Sequence, residues 1–114
     1  MPMLRILTNA KPLPEDRPGL LSRASRTVAE MLGKPESYIM VILEDGRDML
    51  FAGTRAPAAY LELKSLELPE ARTATYSRTL CDLLATALGI PAERIYIEFT
   101  APPAHLFGWN GGTF

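Results

Sequence analysis

The residue best suited by type and position to perform chemistry is Pro2, which directly follows Met1. Initiator methionine is normally removed ahead of proline, and its removal would leave a secondary amine. A free α-amino group titrates near about pH 8, well below a lysine at about 10.4. Burial beside the apolar residues 3–7 would lower this pKa further, since desolvation disfavours the charged form. The pattern indicates either a neutral nitrogen base at physiological pH or simply the start of a strand.

Three polar residues are candidates to assist such a base. Lys34 follows the first helix, where it would either complement the helix C-terminus as a solvated cation or hold a substrate carboxylate. Tyr96 and Glu98 alternate with apolar residues and therefore project from one face of the last strand. That face is either the solvent-exposed side of the strand or a cleft in which a phenol and a carboxylate change the pKa of a nearby amine.

Composition limits the remaining chemistry. The 114 residues are 47% apolar and 22% charged, which is typical of one globular domain. A net charge of −1 gives no reason to expect nucleic acid or membrane partners. Cys81 cannot form an internal disulfide, and the absence of a signal-peptide pattern favours the cytoplasm. With one cysteine and one histidine, His105, neither a cysteine-rich zinc site nor a catalytic triad is expected.

The spacing of apolar residues and the positions of glycine and proline predict the elements that must position these residues. The first half reads as a strand at residues 3–8 and a proline-rich loop at 11–18. A helix at 17–32, capped by Asp16 and ended by Gly33, and two strands at 38–43 and 49–52 follow. The second half reads as a strand at residues 58–66, a helix that either Pro69 or Thr73 opens and Gly89 ends, and a last strand at residues 94–100.

Both halves have the same Leu-Gly-x-Pro segment after their helix. Leu32-Gly33-Lys34-Pro35 is matched by Leu88-Gly89-Ile90-Pro91, and the residue numbers differ by 56 (32 to 88). We therefore predict a single domain over residues 1–114 with an internal repeat at 2–44 and 58–100. Two right-handed β-α-β units form an α+β fold, a four-stranded mixed sheet with both helices on one face.

One face of that sheet would lack a cover. The strands look apolar on both sides, and Met40 and Ile42 would stand on the side without helices. An exposed apolar patch of that size is unusual for a soluble monomer, so we expect a closed homo-oligomer with its sheets facing inward.

Taken together, these residues resemble the macrophage migration inhibitory factor family and the related tautomerases that use an amino-terminal proline. The likeness covers nearly the whole chain. It rests on Met1-Pro2-Met3, Thr8-Asn9, Gly33-Lys34-Pro35, Tyr38-Ile39, Tyr76-Ser77, Leu80-Cys81, Arg94-Ile95-Tyr96-Ile97, Gly108-Trp109-Asn110 and Thr113-Phe114.

The resemblance implies a homotrimer with active sites between subunits and no metal or organic cofactor. It implies keto–enol tautomerisation of phenylpyruvate-like 2-keto acids or dopachrome-type compounds. The site residues it implies are Pro2 as catalytic base, Lys34 for the carboxylate, Ser65 and Leu66 in the pocket, Tyr96 from the neighbouring subunit, and Phe107 as an apolar wall.

Two departures from the family pattern matter. The Cys-x-x-Cys of the animal members is replaced by Ala58-Ala59-Tyr60-Leu61, so no thiol–disulfide activity is expected. Glu98 stands where the cytokine has an asparagine, and a carboxylate near Pro2 would favour the protonated amine.

Two alternatives to a keto–enol tautomerase stay open. One is a cytokine-like binding or signalling protein with a weak or vestigial pocket, a receptor partner and export by a non-classical route. The other is a hydratase-type reaction in which Glu98 activates water beside Pro2.

Overall fold

The structure, a computed structural model, describes residues 1–114 and is built on one mixed sheet with two helices. Its main elements are β1 (Met3–Thr8), α1 (Arg17–Leu32), β2 (Met40–Glu44), β3 (Ala59–Lys64), α2 (Thr73–Leu88) and β4 (Ile95–Thr100). The strand order is β2-β1-β3-β4, with β1 parallel to β2, β3 parallel to β4, and β1 antiparallel to β3. The predicted α+β fold is thereby confirmed.

Both helices end where the sequence places a glycine. Gly33 and Gly89 adopt left-handed φ values of 64° and 67°, and their N–H groups bond back to carbonyls of the last turn. Glycine reaches this conformation without steric cost, so it stops each helix sharply. Neither helix has the length and apolar character needed to cross a membrane.

The core lies between the helices and one face of the sheet. Every second residue of β1 and β3 is fully buried there, because successive strand side chains point to opposite faces. The helices contribute the stripes expected from their spacing. The largest buried apolar side chains of this layer are Leu4, Ile6, Leu61, Leu63, Val28, Tyr76, Leu80 and Leu84.

The first strand and the helix of each half are separated by the same number of residues from their counterparts in the other half. The helices begin at Arg17 and Thr73, and β1 and β3 begin at Met3 and Ala59, which is 56 residues in each case (17 to 73, 3 to 59). This agreement supports our proposal that 2–44 and 58–100 are copies of one β-α-β unit.

The segment at residues 49–52 is not the predicted strand. Phe51 and Thr54 form an isolated antiparallel bridge around Ala52 and Gly53, which have φ values of 51° and 75°. Two consecutive residues with positive φ make a tight turn of the hairpin kind, so the chain reverses before a strand can extend. The predicted loop at 11–18 contains a short 3₁₀ helix at Pro14–Asp16.

The other small elements surround this framework. Further 3₁₀ helices precede the strands and helices, and a two-stranded hairpin closes the chain. They lie at Glu36–Tyr38, Glu70–Arg72, Ala92–Arg94, Ala104–Leu106, β5 (Gly108–Trp109) and β6 (Gly112–Thr113).

The uncovered face of the sheet is charged as well as apolar, whereas the sequence indicated strands that look apolar on both sides. Arg5 in β1 forms a two-point ion pair with Glu44, at 3.2 and 3.3 Å, and lies 3.5 Å from Glu62. Met40 remains 59% exposed on this face. The strands are therefore half-buried, with an apolar side on the helices and a mixed side that meets water or another chain.

Candidate active site

The start of β1 is held firmly inside the fold. Pro2 is fully buried, and its carbonyl oxygen accepts a hydrogen bond from the Met40 N–H at 3.1 Å. Met3 pairs with Met40 on one side and with Lys64 on the other. The amino terminus is therefore fixed at one end of the two central strands, next to the end of β3.

Lys34 reaches the same place from the end of α1. The left-handed Gly33 turns the chain, and the Lys34 N–H bonds to the Ala29 carbonyl at 3.0 Å. The Lys34 Nζ then donates to Ser65 Oγ at 3.1 Å and to the Leu66 carbonyl at 3.0 Å. Neither acceptor carries a charge, so the ammonium is oriented without being neutralised.

Ser65 is a fixed anchor for that ammonium. It is fully buried, and its N–H extends the pairing of β3 with β4 by bonding to the Thr100 carbonyl at 3.0 Å. The structure thus brings together Lys34, Ser65 and Leu66, three of the predicted binding residues, beside the amino terminus.

Lys34 and Leu66 line one side of a cavity of about 790 Å³, and Ser65 lies behind them. Its remaining walls are mainly apolar and aromatic. Trp109 and Phe114 stack with their ring centroids 6.1 Å apart and their planes at 16°. The full lining is Met1, Lys34, Pro35, Tyr38, Leu66, Glu67, Pro102, Pro103, Ala104, Trp109 and Phe114. Lys34 is the one basic side chain in this mainly apolar lining, and such a combination suits a small aromatic acid.

The terminal amine at this cavity is shifted toward its neutral form. Desolvation is the main cause that lowers the pKa of the Met1 amine, and the charge of Lys34 lowers it further. Glu67 acts in the opposite direction but more weakly. An amine in this position binds its proton less tightly than in water, which is what a general base at neutral pH requires.

Tyr96 and Glu98 lie elsewhere in the protomer. Both stand on the uncovered face of β4, an edge strand two positions away from β1. The Tyr60 hydroxyl donates to Glu98 Oε2 at 2.7 Å, and this bond raises the pKa of Tyr60 to about 12. Within one chain, therefore, neither Tyr96 nor Glu98 faces the cavity beside Lys34.

Phe107 stands behind the cavity wall. It is half-buried, its carbonyl accepts the Phe114 N–H at 3.1 Å, and the two ring centroids are 6.1 Å apart. Phe107 supports Phe114, and Phe114 and Trp109 form the surface that the cavity presents.

Several lining residues were not predicted from the sequence. Tyr38 was assigned to a strand, Glu67 lies in a short connection, and Phe114 ends the chain. One sequence feature could have indicated this wall of the cavity, namely the Pro102-Pro103 pair after β4. Two consecutive prolines force an extended segment with few internal hydrogen bonds.

The other reactive side chains stay apart from this cavity. Burial raises the pKa of the Cys81 thiol, which keeps it in its less reactive protonated form. His105 is exposed in the 3₁₀ turn Ala104–Leu106. No cluster of three or more histidine, cysteine or acidic side chains is arranged to hold a metal ion.

Comparisons with known proteins agree with one another. The family model for macrophage migration inhibitory factor matches residues 1–114. The macrophage migration inhibitory factor of Meriones unguiculatus is 40% identical over all of this chain and 99% of its own length. The crystal structure of a homologue from Prochlorococcus marinus superposes with a TM-score of 0.91 at 42% identity, covering 98% of both chains. The structure from Trichinella spiralis gives a TM-score of 0.90 at 37% identity, covering 98% of this chain and 99% of that one.

The first prediction concerns the terminal amine. Replacing Lys34→Met removes a positive charge beside it, so we expect the pKa of the amine to rise toward its ordinary value. Lys34→Arg keeps the charge and should leave the pKa low, and Lys11→Met, at the other end of β1, should have no effect. The measurement is an NMR titration of the terminal residue in each variant. An unchanged pKa in Lys34→Met would contradict the assigned role of the Lys34 charge.

Proposed function

The chain belongs to the macrophage migration inhibitory factor family, and we propose that it is a cofactor-free keto–enol tautomerase. Its general base is the amine of Pro2, freed by removal of Met1, and its substrates are phenylpyruvate-like 2-keto acids or dopachrome-type compounds. The observation that carries this proposal is the buried Pro2 next to an aromatic cavity that Lys34 lines, where desolvation and the Lys34 charge lower the pKa of the Met1 amine.

The proposed reaction is a proton transfer with no net change in composition. The neutral Pro2 nitrogen removes a proton from the carbon next to the keto group. The C–H electron pair becomes the C=C bond, and the carbonyl π pair moves to oxygen. The same proton is then delivered to that oxygen, which gives the enol and restores the neutral amine. By microscopic reversibility, the same steps in the opposite order convert the enol into the keto form.

Lys34 would orient the substrate and stabilise charge. Its Nζ is held by Ser65 and Leu66 and has no carboxylate partner, so a substrate carboxylate can supply the missing negative charge. Bound this way, the acid is positioned relative to the base, and the cation also favours the negative charge that develops on the keto oxygen.

The aromatic walls give a reason for preferring an aryl substrate. Tyr38, Trp109 and Phe114 line the cavity opposite the polar cluster. A flat ring gains both apolar burial and favourable ring contacts in such surroundings. The volume of about 790 Å³ lies within the range of roughly 300–1,000 Å³ typical of small-molecule sites.

We further propose that the active unit is a homotrimer in which Tyr96 of one protomer closes the cavity of the next. Tyr96 is 67% exposed on β4, an edge strand. Met40 on the opposite edge and Leu50 beside the turn are 59% and 71% exposed. Large side chains left open at both sheet edges are the kind of surface that association buries.

The second prediction tests the base. Inserting an alanine between Met1 and Pro2 converts the Pro2 nitrogen into an amide, and kcat/KM for phenylpyruvate should fall by about 10²- to 10⁴-fold. Pro2→Gly keeps an amine and should lose less. Mass spectrometry of each protein establishes whether Met1 is removed. If trimmed parent protein does not enolise phenylpyruvate, a binding role is favoured instead.

The third prediction tests the shared site. Sedimentation at micromolar concentration should give about three times the chain mass of 12.6 kDa. Mixing the alanine-insertion protein with Tyr96→Ala protein, after unfolding and reassembly, should recover activity above the sum of the two alone. Each variant reassembled by itself is the control. A 12.6 kDa monomer with full activity would rule out a site built from two chains.

The fourth prediction concerns Glu98. Glu98→Asn should raise kcat/KM for phenylpyruvate several-fold at neutral pH, because a carboxylate near Pro2 would raise the amine pKa and repel an anionic substrate. The pH–rate profile should move to lower pH. Tyr60→Phe, which removes the partner but keeps the charge, should give no increase. An unchanged or lower rate would contradict the repulsion.

A further inference from the structure

Arg94, the residue directly before β4, holds the loop before β3 through main-chain oxygens alone. Its Nε donates to the Pro57 carbonyl at 2.9 Å and its Nη1 to the Phe51 carbonyl at 3.1 Å. Its Nη2 donates to the carbonyls of Thr54 at 3.3 Å and Ala56 at 3.0 Å. One planar guanidinium thus fixes four points of a single loop, which a lysine cannot do.

The loop so fixed contains a strained turn. The N–H and carbonyl groups of Phe51 and Thr54 bond to each other at 3.0 Å in both directions. Between them Ala52 has a φ of 51°, a left-handed conformation that is sterically unfavourable for alanine. A turn of this kind persists when its surroundings hold it, and the Arg94 hydrogen bonds supply that restraint.

The same guanidinium begins a stack that ends at Tyr96. The Arg94 Cζ lies 5.1 Å from the centroid of the Phe51 ring, in cation–π contact. The Phe51 ring centroid lies 4.7 Å from that of Tyr96, with the planes at 51°. The Tyr96 side chain is otherwise open, and its hydroxyl makes no hydrogen bond within the protomer. Phe51 is therefore the aromatic contact that orients Tyr96.

We propose that Arg94 is a positioning residue for Tyr96 and so sets the affinity of the neighbouring protomer for the aromatic part of its substrate. This inference rests on the proposed function, in which Tyr96 closes that cavity. Without the Arg94 clamp the turn relaxes, Phe51 moves, and Tyr96 samples more rotamers. Ordering it again on binding costs affinity, whereas proton transfer by Pro2 is unaffected.

The fifth prediction follows from this separation of roles. Arg94→Lys keeps the charge but loses the four-point clamp, and Phe51→Leu keeps an apolar side chain but loses the ring. Each should raise KM for phenylpyruvate about five- to tenfold while kcat stays within about twofold. Arg78→Lys, on the exposed side of α2, is the matched control and should change neither constant.

Rescue distinguishes positioning from a general loss of structure. Ala52→Gly relieves the left-handed turn, so adding it to Arg94→Lys should bring KM back toward the parent value. Sedimentation should show the same assembly for all variants. A fall in kcat with unchanged KM, or no change in either constant, would overturn the role assigned to Arg94.

A second readout does not depend on catalysis. The ring of Phe51 should shift the NMR resonances of the Tyr96 ring protons in the parent, and this shift should be lost in Arg94→Lys. If the parent lacks tautomerase activity, the proposed function fails, and the Tyr96 shift still decides whether Arg94 positions that ring. An identical Tyr96 spectrum in Arg94→Lys would overturn the inference.

Discussion

The hydrogen bonds from the Lys34 ammonium to Ser65 Oγ and the Leu66 carbonyl join the end of α1 to the end of β3. Because both acceptors are uncharged oxygens, these bonds orient the full positive charge of Lys34 toward the cavity without neutralising it. Two consequences follow from this one arrangement. The cation attracts a carboxylate, and it lowers the pKa of the amine beside it. A salt bridge in the same place would have removed both effects.

The repeated architecture explains why this arrangement occurs once in the chain. The position that corresponds to Lys34 in the second half is Ile90, which is fully buried in the core. Gly89 turns that helix end as Gly33 turns the first, so the backbone geometry is shared. The difference lies in the side chain and in what meets it. The residue after Gly33 meets the amino terminus and the connection between β3 and α2. The residue after Gly89 meets packed apolar side chains.

The sequence was most informative where local rules decide the outcome. The ends of both helices followed from Gly33 and Gly89, and β1 was predicted at its observed bounds because its apolar run ends at a turn residue. The ion pairs of Arg5 with Glu44 and Glu62 were missed, since they depend on the register of three strands. For the same reason the cavity walls formed by the last residues of the chain could not be located from spacing.

Glu98 illustrates how far a single chain can define this chemistry. Within the protomer its carboxylate accepts a hydrogen bond from Tyr60 on the open face, and β3 lies between its own strand, β4, and β1, where the amino terminus is fixed. A charge at that distance from the amine, screened by water, has little effect on its pKa. In the proposed trimer, Glu98 and Tyr96 would influence the amine only where another protomer brings them to the cavity. The strength of the base would then be set by assembly, and the same residues would be spectators in an isolated chain.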